Sequence, residues 1–396
     1  MYKEEKTMTL SAMDDNGNPV DWWFMYKVAG KSTTGDGHKV LGTEYVYFDA
    51  NTPENGKLIL SNRHVDKDGA LPNTLNQVYG AAAANQPLGW FFYNDENPIT
   101  GKTNGSRGHT KGVLAFDLES NSAFWLVQST PKFPLKGAYG FPKTGLPNAQ
   151  TLLCITLANA DGAQSLAKQM FVAQQPNVYL ASAIPDGLSK EPNDPRVKLI
   201  QNQVASGTTP VHVVIPFNSK GGLKFMSIAK NKTWDLDFYN DLVGPTLHEN
   251  LDVETWEHDP TPPAADSDKV HTVVSMQAVD LKPLGIDITW PEPDDHAKLA
   301  ISAKEETTHF VCVGDLNFTI AQRKRGGGTV AFQSEALWNS LTEILQGVSA
   351  PPKTGSGSKA GRSKVSRSKA GRPKAKKAKA TLKAKRTKKT AKKARR

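Results

Sequence analysis

The sequence predicts an α/β fold: a pseudo-dimer of two mixed-sheet repeats, with a functional site where the repeats meet. Three observations carry this. A His-x-Lys triplet occurs twice, as His109-Thr110-Lys111 and His296-Ala297-Lys298. Each triplet enters an apolar, β-prone run and is trailed by a second one, residues 124–133 after the first and 309–318 after the second. Strand-like and helix-like patterns also mix in both halves, as a duplicated unit would give.

The elements follow in order. Residues 1–20 read as a lead-in. The aromatic run 21–28 and the β-branched and aromatic run 43–48 are strands. Residues 75–79 suggest a short helix, and 89–93 a strand ending at Asn94-Asp95. A Gly/Asn/Ser loop over 100–108 leads into His109. Strands over 110–117, 122–128 and 150–157 follow, then a helix near 163–172. In the second half, 210–216 reads as a strand, and Trp234, Phe238 and Leu242 recur at helical spacing over 233–243. Strands over 270–279, 296–302 and 310–313 come next. Leu337, Trp338, Leu341, Ile344 and Leu345 line one face of a helix over 335–346. The Pro-rich stretch 259–263 is a linker or surface loop. The domains implied are a lead-in (1–20), an N-terminal repeat (21–195), a C-terminal repeat (196–350) and a basic tail (351–396).

Charge divides the chain in two. The formal net charge is +10, yet residues 351–396 hold 20 of the 49 Lys and Arg and no acid. The preceding 350 residues keep 29 basic against 39 acidic residues, a net charge of −10. The tail is Lys, Arg, Ala, Gly, Ser, Thr and Pro with only Val365 and Leu382 as large aliphatics, so it lacks the material for a core. Such a segment suits a polyanion, with affinity falling at about 0.9 log units per neutralised phosphate per log unit of salt. No run approaches about 18 apolar residues, and the N-terminus has no apolar signal region. This disfavours a membrane role and favours a cytoplasmic or nucleoid-associated setting over a secreted one. Cys154 and Cys312 sit in apolar runs without CxxC spacing and read as core thiols.

The triplets carry the chemistry. In a strand, residues i and i+2 share a face, so each His stands beside its Lys. An ammonium holds a non-bridging phosphate oxygen as a point charge, and an imidazole attacks phosphorus or moves a proton. Two pairs facing across a groove supply a nucleophile, an acid and two phosphate clamps. The arrangement calls for no metal and no cofactor.

The ordered series of segments resembles the deoxyribonuclease II family, within the phospholipase D-like superfamily. The segments are Asp21-Trp22-Trp23-Phe24, Gly108 to Leu114, Phe124-Trp125-Leu126-Val127, Ser129 to Pro134 and Gln150 to Cys154, then Asp295 to Lys298, Cys312 to Asn317 and Arg325 to Thr329. The resemblance covers roughly 15–350 and leaves out the tail. It implies a phospholipase D-like fold and a metal-independent DNA endonuclease. One His forms a phosphohistidine; the other protonates the leaving 5′-oxygen and then activates water, giving 3′-phosphate and 5′-hydroxyl ends. Lys111 and Lys298 match the clamp positions, and Asn317 matches an Asn whose amide donates to the phosphate. Lys132 stands where the family usually has Asn, and as a cation it can also hold phosphate. Asp315 stands where the broader motif often has Ser; it either orients a His or is a buried structural carboxylate. The turn at Arg325-Gly326-Gly327-Gly328 either approaches phosphate through its N–H groups or needs positive φ. Phe318 replaces a common Arg.

The partner expected is DNA, with no membrane, and a homodimer is compatible with the reading. Activity should be bounded in pH by two coupled titrations. Two other functions compete: DNA binding or compaction through the tail, and cleavage of a non-DNA phosphodiester by the same residues.

Overall fold

The runs flanking the two triplets form the middles of two sheets. Lys111–Asp117 and Ser122–Gln128 pair antiparallel, and Gln150–Leu157 continues the sheet. These strands are buried along their whole length, which is why they read as near-continuous apolar runs. The structure, a computed structural model, describes residues 9–206, 210–256 and 270–347. The Pro-rich linker and the basic tail lie outside the described residues.

The first sheet has the spatial order Val178–Ala181, Gly89–Asn94, Lys111–Asp117, Ser122–Gln128, Gln150–Leu157, Trp22–Lys27, Tyr45–Asp49, Ile59–Leu60. The second runs His212–Asn218, Lys224–Lys230, Gly327–Gln333, Phe310–Gly314, Lys298–Ser302, Leu251–Thr255, Val273–Asp280, Ile288–Pro291, Thr33–Thr34, with Leu345–Gly347 paired to Val273–Asp280. A block of strands recurs in both sheets in the same antiparallel order. It is 89–94, 111–117, 122–128 and 150–157 in the first, and 251–255, 298–302, 310–314 and 327–333 in the second.

One face of each sheet meets in a shared core. Phe24, Leu114, Trp125 and Leu153 pack there with Leu299, Val311, Val330 and Phe332. The helices Ala160–Gln169 and Glu335–Ile344 contribute Leu166, Leu337 and Leu341 to it. The outer face of the first sheet, with Val113, Leu126 and Cys154, is covered by the helix Ala70–Ala83. The outer face of the second, with Ala300, Cys312 and Ala331, is covered by the helical residues 239–247. Both cysteines are free and buried. The result is a mixed α/β protein in layers. Among the described residues no helix is long and apolar enough to cross a membrane.

Several elements differ from the sequence reading. Within the lead-in, residues 9–20 form a hairpin of Ala12–Met13 and Pro19–Val20. Asp14 accepts the Asn16 and Asn18 N–H groups at 2.9 and 2.8 Å to shape its turn, and Leu10 and Ala12 are fully buried. The helix expected from 233 begins only at 239, because Asp237 accepts the N–H groups of Tyr239 and Asn240 at 3.1 and 2.9 Å. The Gly326-Gly327-Gly328 run is no turn. Gly327–Gln333 is a central strand paired on both sides, and none of these glycines has positive φ. Glycine is needed there for close approach: a Cβ at Gly328 would lie 2.6 Å from the Ile228 carbonyl oxygen.

Candidate active site

The first triplet is set by glycines. Gly108 and Gly326 both press on the Gln174 carbonyl: an added Cβ would lie 1.9 Å from its oxygen at Gly108 and 2.7 Å at Gly326. No larger residue fits at Gly108. This approach lets the His109 backbone N–H donate to the Gly326 carbonyl at 2.8 Å. The His109 ring then donates from Nδ1 to the Asp315 backbone carbonyl at 2.6 Å. A carbonyl can only accept, so Nδ1 carries the hydrogen and Nε2 carries the lone pair. Burial, reinforced by the Lys111 charge, pushes the imidazole down to about 3; it is neutral at ordinary pH.

Lys111 is tethered at both ends. Its N–H donates to Asp315 Oδ1 at 3.2 Å. Its Nζ lies 2.6 Å from Asp95 Oδ1 and 3.4 Å from His109 Nε2. Asp95 also receives Arg325 Nη2 at 2.9 Å, so one buried carboxylate holds two cations. Burial alone would raise the Asp95 carboxyl, but the Lys111 and Arg325 charges outweigh it and hold it well below the usual range. Burial lifts Asp315 to about 7, against the pull of Lys111.

The second triplet is held from the first sheet. The His296 N–H donates to the Ala149 carbonyl at 2.9 Å, and Lys298 N–H to Thr151 Oγ1 at 3.3 Å. The neighbouring Asp295 is fully buried and accepts from Tyr26 Oη, from Trp290 Nε1 at 2.7 Å and from the Ala297 N–H at 2.7 Å. The His296 ring lies 4.2 Å from the Trp256 ring between centroids. Its Nε2 is 2.9 Å from Asn148 Nδ2, while Asn148 Oδ1 is buried without a partner. A half-turn of that amide swaps acceptor for donor, so Asn148 can serve either protonation state of the ring. Lys298 Nζ donates to the His296 carbonyl at 2.7 Å. Among the described residues no carboxylate pairs with it. Burial, with Lys111 nearby, pulls Lys298 down to about 7.

All four triplet side chains line one cavity of about 300 Å³, together with Lys132, Ser129, Glu96, Thr144 and Trp256. Two imidazoles and two ammoniums thus share a space fit for a phosphodiester, where one ring can attack and the other can move protons. Asp315, Asn317 and Arg325 do not line it. Asp315 serves through its carbonyl to His109 and its carboxylate to Lys111. Arg325 is committed to Asp95 and, through Nε, to the Arg107 carbonyl at 3.2 Å. Asn317 is buried in the loop after Phe310–Gly314, with Oδ1 unpartnered. Strand pairing also shifts the expected match of Lys132 with Asn317. Gly112 faces Val127 as Leu299 faces Val313, so Lys132 aligns with Phe318 and Pro131 with Asn317. Sequence reasoning missed Asp95, Asn148 and Trp256. Asp95 and Trp256 each directly follow the strand that flanks a triplet strand, a signal visible only once pairing is known.

The family model for deoxyribonuclease II matches residues 11–350. The chain belongs to the deoxyribonuclease II family. Both triplets and every cavity residue named above fall within the family match, and the basic tail falls outside it. A Burkholderia pseudomallei protein named "Putative deoxyribonuclease-2" is 42% identical over 358 residues, covering 89% of this chain and 97% of its own length. Deoxyribonuclease-2 of Caenorhabditis elegans is 32% identical, over 85% of this chain and 92% of its own. Deoxyribonuclease-2-alpha of Rattus norvegicus is 31% identical, over 85% and 93%.

Proposed function

We propose that this chain is a metal-independent DNA endonuclease whose site lies between two phospholipase D-like repeats, approximately 21–195 and 196–350. Its family makes it a hydrolase of the nuclease class. The observation that carries the mechanism is the His109 ring, fixed by Asp315 with a bare Nε2 toward Lys111 and the cavity. His109 Nε2 attacks phosphorus, forming an N–P bond. The P–O5′ bond breaks as His296 gives its proton to the 5′-oxygen. His296 then takes a proton from water, whose oxygen displaces Nε2 and leaves a 3′-phosphate. Lys298, free of any carboxylate partner among the described residues, holds a non-bridging oxygen; Lys111 holds the other and keeps His109 neutral. Lys132 supplies a further cation to the DNA. The crosswise hydrogen bonds, His109 to Gly326 and His296 to Ala149, support an interface site. Acid-labile, base-stable labelling of His109 after rapid mixing with radiolabelled DNA in EDTA checks this; label on His296, or none with DNA cut, refutes the assignment.

The sign of the pH dependence follows from Lys298. It is charged below about pH 7 and neutral above, so kcat/KM should fall as pH rises through 7. Bound phosphate stabilises the ammonium and shifts the kcat limb upward. Lys298→Arg, which stays charged, should flatten the alkaline limb in a plasmid-nicking assay.

The tail's role is capture. Deleting 351–396 should leave kcat near wild type at saturating DNA while raising KM and flattening its salt dependence. Loss of all activity with the tail would instead favour the binding-protein reading.

A further inference from the structure

Two lysines outside the cavity are placed alike in the two sheets. Lys27 ends the strand Trp22–Lys27 and faces Gln150; Lys230 ends Lys224–Lys230 and faces Gly327. With Lys111 set on Lys298, the pairings Gly112–Val127–Leu153 and Leu299–Val313–Val330 coincide. On that register Lys27 falls on Lys230, Leu146 on Arg323 and Ala149 on Gly326.

Both lysines are fully buried, and no carboxylate pairs with either among the described residues. Each is caged by backbone carbonyls instead. Lys27 Nζ donates to Val28 at 2.8 Å, Gly42 at 3.0 Å and Leu146 at 3.0 Å. Lys230 Nζ donates to Arg323 at 2.6 Å, Arg325 at 2.8 Å and Gln322 at 3.3 Å. Each ammonium also lies 6.0 Å from an aromatic ring centroid, Phe141 for Lys27 and Trp234 for Lys230. Enclosing an ammonium this way is costly. It is matched here to carbonyls of loops and of the short helical turn Ile320–Lys324, of which Leu146 and Gln322 also accept a backbone N–H, and only lysine brings three donors on a slender stem.

The loops so held are those that fix the histidines. Three residues after Leu146, Ala149 accepts the His296 N–H, and Asn148 meets the His296 ring. Immediately after Arg325, Gly326 accepts the His109 N–H. We propose that Lys27 and Lys230 are a duplicated pair of positioning residues acting crosswise: Lys27, in the first sheet, sets His296, and Lys230, in the second, sets His109. This rests on the nuclease reading only for its effect on catalysis.

The test uses the full chain with isotopically labelled histidines. Lys230→Met should move the ring nitrogen signals of His109 and leave those of His296; Lys27→Met should do the reverse. Each should lower kcat by about 10²-fold with KM little changed, as a small misplacement of a reacting group does. Lys27→Gln and Lys230→Gln keep two donors and should give the same pattern, less deeply. If the Met variants fail to fold, the Gln pair decides. Ring signals that stay put, or that move together in both variants, overturn the proposal. The two readings separate cleanly: a crosswise pattern in a chain that cuts no DNA sinks the nuclease reading alone, and DNA cleavage without the pattern sinks the positioning roles alone.

Discussion

His109→Ala and His296→Ala are each expected to cut DNA at a small fraction of the wild-type rate while melting as the native protein does. The loss at His296 should be about 10³-fold, the scale of a positioned proton donor. The loss at His109 should be larger, since removing a nucleophile leaves only binding and electrostatics. The two differ in kind. Without His109 no covalent adduct can form. Without His296, a substrate with a good leaving group such as a nitrophenyl phosphodiester should still phosphorylate His109, because it needs no proton; the adduct should then persist for want of a base to activate water. Losses should be far from additive in the double variant, because the rings serve one reaction. Both rings are only partly buried, so truncation costs little packing. A cleaving His296→Ala protein would end the shared-site reading.

The second large effect is on stability. Asp95 is buried and binds Lys111 at 2.6 Å and Arg325 at 2.9 Å. Asp95→Asn removes the charge and leaves Lys111 buried against Arg325 without compensation, which costs about 3–5 kcal/mol. The pH sign follows from a carboxyl held below its ordinary value. Asp95 contributes its full stability above its unfolded pKa of about 4, and loses it as pH falls from there through the folded value. Urea unfolding of wild type and variant should therefore differ most near neutrality and converge in acid. A constant difference across that range would show that Asp95 acts by shape and not by charge. Activity should fall as well, because Lys111 would lose the partner that fixes its Nζ beside His109.

Much of this was legible in the sequence because it is local. The strands around both triplets announce themselves by apolar content and length, and His-x-Lys duplication survives in the chain as plain repetition. The Gly326–Gly328 run misled because glycine signals a turn in isolation. Its real constraint, the Ile228 and Gln174 carbonyls pressing on its backbone, is contributed by residues far away in sequence. The match of Lys132 to Asn317 slipped by one residue because sequence similarity does not measure register, whereas a ladder of hydrogen bonds does.

The sequence by itself determined the α/β character, the two His-x-Lys pairs and the split between an acidic body and a basic tail, since each depends on neighbours along the chain. Only the tertiary structure decided how those groups behave. Which imidazole nitrogen is bare, which lysine is neutralised by Asp95 and which carbonyls Lys27 and Lys230 must satisfy are set mainly by contacts between residues distant along the chain, such as Lys27 with Leu146 and Lys230 with Arg325. Electrostatics and hydrogen bonding act through space, and the fold is what brings those charges together.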